Sequence, residues 1–144
     1  MAQAMITRLI ETISLCSVLH RGARREIRLI VFPGGASPAR DFLVGLLTRS
    51  STSQKGVDLI QALVHLSDNE RHSKYKPWTG IKGATDLRQL SKAEYRIIMV
   101  EEHSGERRTL SVLCGFEKHE RTTPRRAVAK IQGLYTRYES GRTR

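Results

Sequence analysis

The sequence predicts an α+β protein, in which helices pack on a twisted antiparallel sheet of about four strands. Apolar residues recur at helical spacing in four segments, at residues 6–19, 42–47, 57–67 and 128–138. Apolar and polar residues alternate as they do in strands at residues 26–32, 85–90, 94–102 and 107–114. The predicted order is therefore helix, strand, two helices, three strands, helix.

Local signals predict where the helices begin. Ser37 precedes Pro38, and Asp41 follows in the first turn, so a helix should start there with Ser37 as its N-cap. The polar run 50–54 indicates a turn into a second helix, which gives a helical hairpin. Thr123 and Pro124 repeat the start signal for a closing C-terminal helix. We expect the hairpin on one face of the sheet and a basic, open surface on the other.

The chain length of 144 residues suits one compact domain. Residues 1–25 are interpreted as an N-terminal helical extension and a basic linker, and residues 26–144 as the main domain. The extension lies outside the main pattern. It could cover an apolar patch, join a dimer or meet a protein partner.

The net charge of +11 indicates a polyanion as the first partner to test, because Lys and Arg displace the counterions held by phosphate backbones. Residues 117–144 alone carry eight Lys or Arg against three acids. Simple solubility, an acidic membrane and an acidic protein are the alternatives. In the loop 67–83, Trp78 could stack on a base or serve as a packing anchor, and both interpretations stay open.

The sequence gives no indication of a metal site, a cofactor or a disulfide framework. Its two cysteines, Cys16 and Cys114, are far apart and show no metal-ligand spacing, so a reducing cytoplasm is the expected location. Residues 5–19 are too short for a membrane span and are interrupted by Arg8 and Glu11. Cys114 alternates with apolar residues and is predicted to be a small buried side chain.

Four short motifs follow one another in the second half of the chain: Asp86-Leu-Arg88, Glu94-Tyr-Arg-Ile-Ile98, Cys114-Gly-Phe-Glu-Lys-His119 and Thr123-Pro-Arg-Arg126. In this order they resemble the RelE/HigB toxins of bacterial toxin–antitoxin pairs, particularly their phage-associated branch. The resemblance covers roughly residues 26–138. It implies a RelE-like fold and a metal-independent endoribonuclease that cleaves mRNA, usually on the ribosome. It also implies a cognate antitoxin, a HigA-like helix-turn-helix protein.

The resemblance places family catalytic positions on Arg96 and Lys118. It places basic RNA-binding positions on Lys82 and Arg88, and the cations in and beside the last motif complete the predicted RNA-binding set: Arg121, Arg125 and Arg126. His119 is the predicted general base or acid, because a free imidazole titrates near pH 6.5 and neighbouring cations lower that value.

The chemistry asks for these residue types. Cleavage of RNA without a metal requires the ribose 2′-hydroxyl to lose its proton and attack the adjacent phosphorus. The bond from phosphorus to the 5′-oxygen then breaks, and that oxygen gains a proton. Negative charge accumulates on the non-bridging oxygens, where fixed cations stabilise the transition state. The chain departs from the family in two places. Cys114 stands where a His is frequent, and Tyr135 and Tyr138 lie too far along to match a family Tyr, which leaves the proton-transfer assignment open.

Simpler interpretations stand beside these. Arg96 could be a solvated strand residue paired with Glu94 or Glu101, and Lys118 and His119 could form a charged turn. Two other functions fit the same fold: a non-catalytic RNA-binding or ribosome-binding module, and a regulatory protein that binds duplex DNA through its basic last helix.

Overall fold

The computed structural model describes residues 2–119, 121 and 123–142. Over this part of the chain there are four helices and six strands: α1 (Ala2–Leu15), β1 (Val18–Arg21), β2 (Glu26–Leu29), α2 (Pro38–Thr48), α3 (Ser53–Asp68), β3 (Tyr75–Pro77), β4 (Leu87–Lys92), β5 (Tyr95–Ser104), β6 (Arg107–Glu117) and α4 (Arg125–Arg142). The α+β class is confirmed. The predicted number of strands is corrected from about four to six, because β1 and β3 were not predicted.

The strands form one mixed sheet in the order β1-β2-β6-β5-β4-β3. The prediction of a purely antiparallel sheet is wrong, since β2 pairs with β6 in parallel, with Glu26 opposite Thr109 and Leu29 opposite Val112. The other neighbouring pairs are antiparallel. The parallel pair arises because the chain leaves the sheet after β2 and passes through α2 and α3. It enters again at the opposite edge and works back towards β2.

The start of α2 follows the predicted cap. Ser37 Oγ accepts a hydrogen bond from the Arg40 backbone N–H at 3.3 Å, and Pro38 occupies the first turn, where no donor is needed. The same hydroxyl donates to the carbonyl of Ile30 at 2.7 Å, so the cap also ties the helix to the end of β2.

Helices α1, α2 and α3 cover one side of the sheet, here named the α1–α3 side. The buried apolar residues of these helices, such as Ile13, Leu43 and Leu63, pack against alternate residues of the strands in one core. The strand residues in this core include Ile97, Met99 and Val112. The extension is part of this core, because Ile13 is fully buried and its carbonyl accepts from Arg40 Nε at 2.7 Å. Helix α1 therefore covers apolar surface, the first of the three roles considered for it.

The segment expected as a basic linker, residues 20–25, is instead the end of β1 and the turn into β2. Its turn is fixed on the end of α3, where the backbone N–H groups of Arg24 and Arg25 each donate to the Ser67 carbonyl at 2.9 Å. A Cβ added at Gly22 would lie 2.3 Å from that same carbonyl oxygen. Only glycine fits this close approach, so the turn between β1 and β2 requires glycine at position 22.

Helix α4 covers the other side of the sheet, here named the α4 side. Its Ile131 and Leu134 are buried against strand residues that include Ile98, Val100 and Leu113. The prediction of an open face is therefore wrong for the middle of the sheet, because these residues are apolar and need cover. Cys114 is buried there as predicted, and its burial raises the pKa of the thiol to about 11.

His72 should make stability depend on pH. Burial, the neighbouring His65, and the charges of Lys92 and Arg25 lower the pKa of His72 below its usual 6.5. The unfolded chain then binds a proton more readily, so this contribution to stability is complete above about pH 6.5 and is lost as the pH falls below it. We expect the urea midpoint to drop from pH 7 to pH 5 less steeply in His72→Asn than in the wild type. Equal slopes in both proteins would contradict this.

Candidate functional site

Arg96 lies on the α4 side of the sheet. Its neighbours Tyr95 and Ile97 belong to the core of the α1–α3 side, so the alternation of β5 turns Arg96 the other way. Its cross-strand partners are Ser91 and Phe116. The guanidinium Nη1 donates to the carbonyls of Ala93 and Tyr95, each at 2.8 Å, which restricts its orientation.

Arg96 does not form the acidic pairs that were considered for it. The Glu94 carboxylate lies 2.6 Å from Lys55 Nζ, and the Glu101 carboxylate lies 2.7 Å from Arg88 Nε. Both carboxylates have other cationic partners. The interpretation of Arg96 as a solvated strand residue paired with Glu94 or Glu101 is therefore wrong about these partners.

Lys118 lies on the same side as Arg96. A bulge in β6 places Ile98 opposite Cys114 and Met99 opposite Val112, so Leu113 is an extra residue in the strand. After the bulge, Phe116 packs with the α4 cluster, and Lys118 follows two residues later. The Lys118 side chain lines a groove together with Val128 of α4.

This groove, here named the Lys118 groove, has a volume of about 310 Å³ and lies between the sheet, the loop after β3 and the start of α4. Its lining residues are Lys76, Pro77, Trp78, Thr79, Gly80, Gln89, Lys118, Thr123 and Val128. Gln89 Nε2 donates to Ser91 Oγ at 3.2 Å, and Ser91 is the strand partner of Arg96. A polar row therefore connects the groove with Arg96.

Trp78 is a packing anchor and not a stacking surface. Its side chain is only 6% exposed and belongs to the core under α4. Gly80 lies directly on the indole, since a Cβ added there would come within 2.3 Å of Trp78 Cζ2. A base cannot reach the ring face in this arrangement, which decides between the two interpretations of this residue.

Arg88 does not belong with Arg96 and Lys118. It alternates with Leu87 of the α4 cluster, and its guanidinium pairs with Glu101 on the α1–α3 side. The Tyr75 hydroxyl donates to the same Glu101 oxygen at 3.4 Å. The expectation that Arg88 lines one groove with Arg96 and Lys118 is therefore wrong, because strand alternation places the Arg88 side chain on the α1–α3 side of the sheet.

His119 is not in the lining of the Lys118 groove. Its Nε2 lies 2.8 Å from a carboxylate oxygen of Glu117, and both side chains are exposed. Glu117 lies close enough to Tyr95, on the α1–α3 side, for its charge to contribute to the raised pKa of that phenol, after burial as the main cause. The predicted catalytic group of three is thus reduced to the pair Arg96 and Lys118, and the local charged-turn interpretation fits His119.

The remaining predicted cations are exposed, and none of them is in the lining of the Lys118 groove. Arg125 and Arg126 occupy the first turn of α4, where no acid is present, and the helix dipole adds positive potential to theirs. Arg121 is exposed between β6 and α4. Lys82 lines a neighbouring pocket of about 380 Å³ on the other flank of Trp78. The lining of the Lys118 groove itself contributes two cations, Lys76 and Lys118.

A second basic region was missed from the sequence. The buried carboxylate of Glu26 lies 2.8 Å from Arg21 Nε, 3.2 Å from Arg28 Nε and 3.6 Å from Arg107 Nη1. Because Ile27 faces the α1–α3 core, this cluster lies on the α4 side, at the opposite end of β6 from Lys118. The density of arginine in residues 21–28 was visible, but the parallel pairing that brings Arg107 to it was not.

Two further properties concern the described residues only. None of the helices they form has the length and apolar character needed to cross a membrane. Nor do these residues include a group of three or more His, Cys, Asp or Glu side chains arranged to hold a metal ion.

The fold and the groove define a small α+β protein with a mixed sheet and a cationic groove beside its last helix. No model of a known protein family matches the chain, and no curated protein matches it. The likeness to RelE/HigB toxins therefore rests on the quoted motifs alone.

Proposed function

We propose that this protein is the toxin of a toxin–antitoxin pair, a metal-independent endoribonuclease that cleaves mRNA on the ribosome in the cytoplasm. The observation that carries the proposal is the placement of Arg96 and Lys118 on one side of the sheet, at the same end of adjacent strands. A HigA-like antitoxin would silence it by binding. The net charge of +11 supports a polyanionic substrate.

In this proposal the scissile phosphate lies between Arg96 and the Lys118 groove. As the 2′-oxygen attacks, the non-bridging oxygens gain negative charge, which the guanidinium and the ammonium stabilise. The two carbonyls that hold Arg96 Nη1 orient the guanidinium before substrate arrives, so little reorganisation is needed. Arg125 and Arg126 would hold the flanking backbone without reading its sequence.

A non-catalytic RNA-binding or ribosome-binding module is the second candidate. It is favoured by the position of His119, whose imidazole is paired with Glu117 away from Lys118. The described lining of the Lys118 groove includes neither a histidine nor a carboxylate. Cleavage there would rely on charge stabilisation, with proton transfer left to Lys118 or to water, and should be slow.

Sequencing of RNA ends after brief induction tests the two candidates. We expect growth arrest and new 5′ ends within translated mRNA, relieved by co-expression of a small helix-turn-helix protein encoded beside the gene. The folded, purified protein should then be incubated with RNA, both alone and on translating ribosomes. RNA that is bound and stays intact in both reactions would select the non-catalytic module. Failure to bind would remove both candidates.

A further inference from the structure

A cavity outside the proposed RNA site lies on the α1–α3 side, away from the Lys118 groove. It has a volume of about 610 Å³ and lies between α3 and the turn from β4 to β5. Its lining includes Asp58, His65, His72, Lys74 and Lys92. The volume lies within the range of small-molecule sites. The proposed ribonuclease chemistry uses none of these side chains.

Two histidines in this cavity have defined hydrogen-bonding roles. Their ring centroids are 5.3 Å apart, in an edge-to-face arrangement. His72 Nδ1 accepts from the backbone N–H of Lys74 at 3.1 Å. Asn69 Nδ2 donates to the His65 carbonyl at 2.8 Å and lies 3.3 Å from His65 Nδ1. Each Nδ1 thus faces a donor, so each neutral ring carries its proton on Nε2.

These tautomers favour an anion over a metal ion. A metal bound at Nε2 needs the lone pair there and an acceptor for the proton on Nδ1. Here each Nδ1 faces an N–H group, so metal binding would set two donors against each other. In these tautomers each Nε2–H group is a hydrogen-bond donor. Oxyanions accept such bonds from neutral imidazole.

The charges at this end of the cavity are positive. Lys74 and Lys92 both line it, and the charges of Lys92 and Arg25 act on His72. The opposite end carries Asp58, whose carboxylate accepts from Gln54 Nε2 at 2.9 Å. Asp58 and His65 share one face of α3, about 10 Å apart along the helix axis. The cavity therefore has a cationic end and an acidic end.

We propose that this cavity binds a small phosphate monoester that carries a hydrogen-bond donor at its far end. The phosphate would accept from the Nε2–H groups of His65 and His72 and from the ammonium of Lys92. The far donor would bind the Asp58 carboxylate. A nucleoside monophosphate with an exocyclic amine has this form. The site is independent of the proposed ribonuclease activity.

Calorimetric titration with adenosine monophosphate tests the proposal, with His72→Asn and Lys92→Gln as the site variants. An Asn amide oxygen can still accept from the Lys74 backbone N–H, so His72→Asn removes the Nε2–H donor while keeping the local fold. We expect each variant to weaken binding by about tenfold or more, because each removes a charge-assisted hydrogen bond. Arg8→Gln, which removes an exposed cation of α1 outside both proposed sites, is the control and should bind as the wild type does.

Two further ligands separate the possible sources of binding. Inorganic phosphate should bind more weakly than adenosine monophosphate, and adenosine should bind weakest, since it lacks the phosphate. Equal affinity in wild type and both site variants would overturn the proposal, as would no binding at all. Stoichiometric Zn²⁺ binding that requires both His65 and His72 would also overturn the proposal, because metal binding at Nε2 requires the opposite tautomers.

Discussion

Arg96→Ala and Lys118→Ala are each expected to lower RNA cleavage by about 100-fold, the usual effect of removing one fixed donor from a charged transition state. Arg96→Lys should retain more activity than Arg96→Ala, because it keeps the charge and loses only the planar fork. The rate should be measured in single turnover on a defined RNA. The loss is expected in the rate of cleavage more than in RNA affinity.

Stability must be followed in the same variants. Arg96 holds two carbonyls at the turn before β5, where Ala93 has a positive φ of 52°, so Arg96→Ala should cost about 1 kcal/mol of unfolding free energy. Arg8→Ala removes an exposed cation from α1 and serves as the charge control, with activity near that of the wild type. Undiminished cleavage by folded Arg96→Ala would remove this residue from the proposed site.

Arg25→Ala should destabilise the fold by about 2–4 kcal/mol, the largest effect expected from any cation in the chain. The Arg25 side chain is buried and donates to the carbonyls of Leu66, Asn69 and Glu70 at 2.7–2.9 Å. Its guanidinium also lies 5.1 Å from the Tyr75 ring centre. Removal takes the Arg25 donor away from the Leu66 carbonyl of α3 and from the two carbonyls just after the helix, and it opens a cavity beneath the turn between β1 and β2.

Urea unfolding measures this effect, and the neighbouring Arg24 supplies the control. Arg24 is exposed and lies 3.7 Å from Glu70, so Arg24→Ala should cost less than about 1 kcal/mol. Equal urea midpoints for Arg25→Ala and Arg24→Ala would contradict this prediction. They would show that water replaces the Arg25 hydrogen bonds to the three carbonyls without loss of stability.

Local patterns predicted the elements whose determinants lie within a few residues. The Ser37 and Pro38 cap located α2, and alternation located β4, β5 and β6, because both signals depend on short-range geometry. Strand β3 was missed because its three residues include an edge proline, Pro77, and are too few to show alternation. The hairpin of β1 was missed because its stability comes from the end of α3, which is distant in sequence.

The site was predictable only in part, since side-chain direction depends on strand register. Lys118 and Arg96 share a side because Phe116 pairs with Arg96, and no local signal gives that register. The same dependence separates Arg88 and His119 from them. The cover by α4 could have been inferred from Ile98, Val100 and Leu113, which are apolar residues with no partner on the helical hairpin.

The parallel pairing of β2 with β6 has a consequence for synthesis of the chain. The partner of Glu26 is Thr109, so about 80 further residues must leave the ribosome before β2 gains its second neighbour. Until then one edge of the early hairpin stays unpaired and open to other chains. We therefore expect newly made protein to aggregate when elongation stalls before β6, and a chaperone or an early-binding partner to raise its yield.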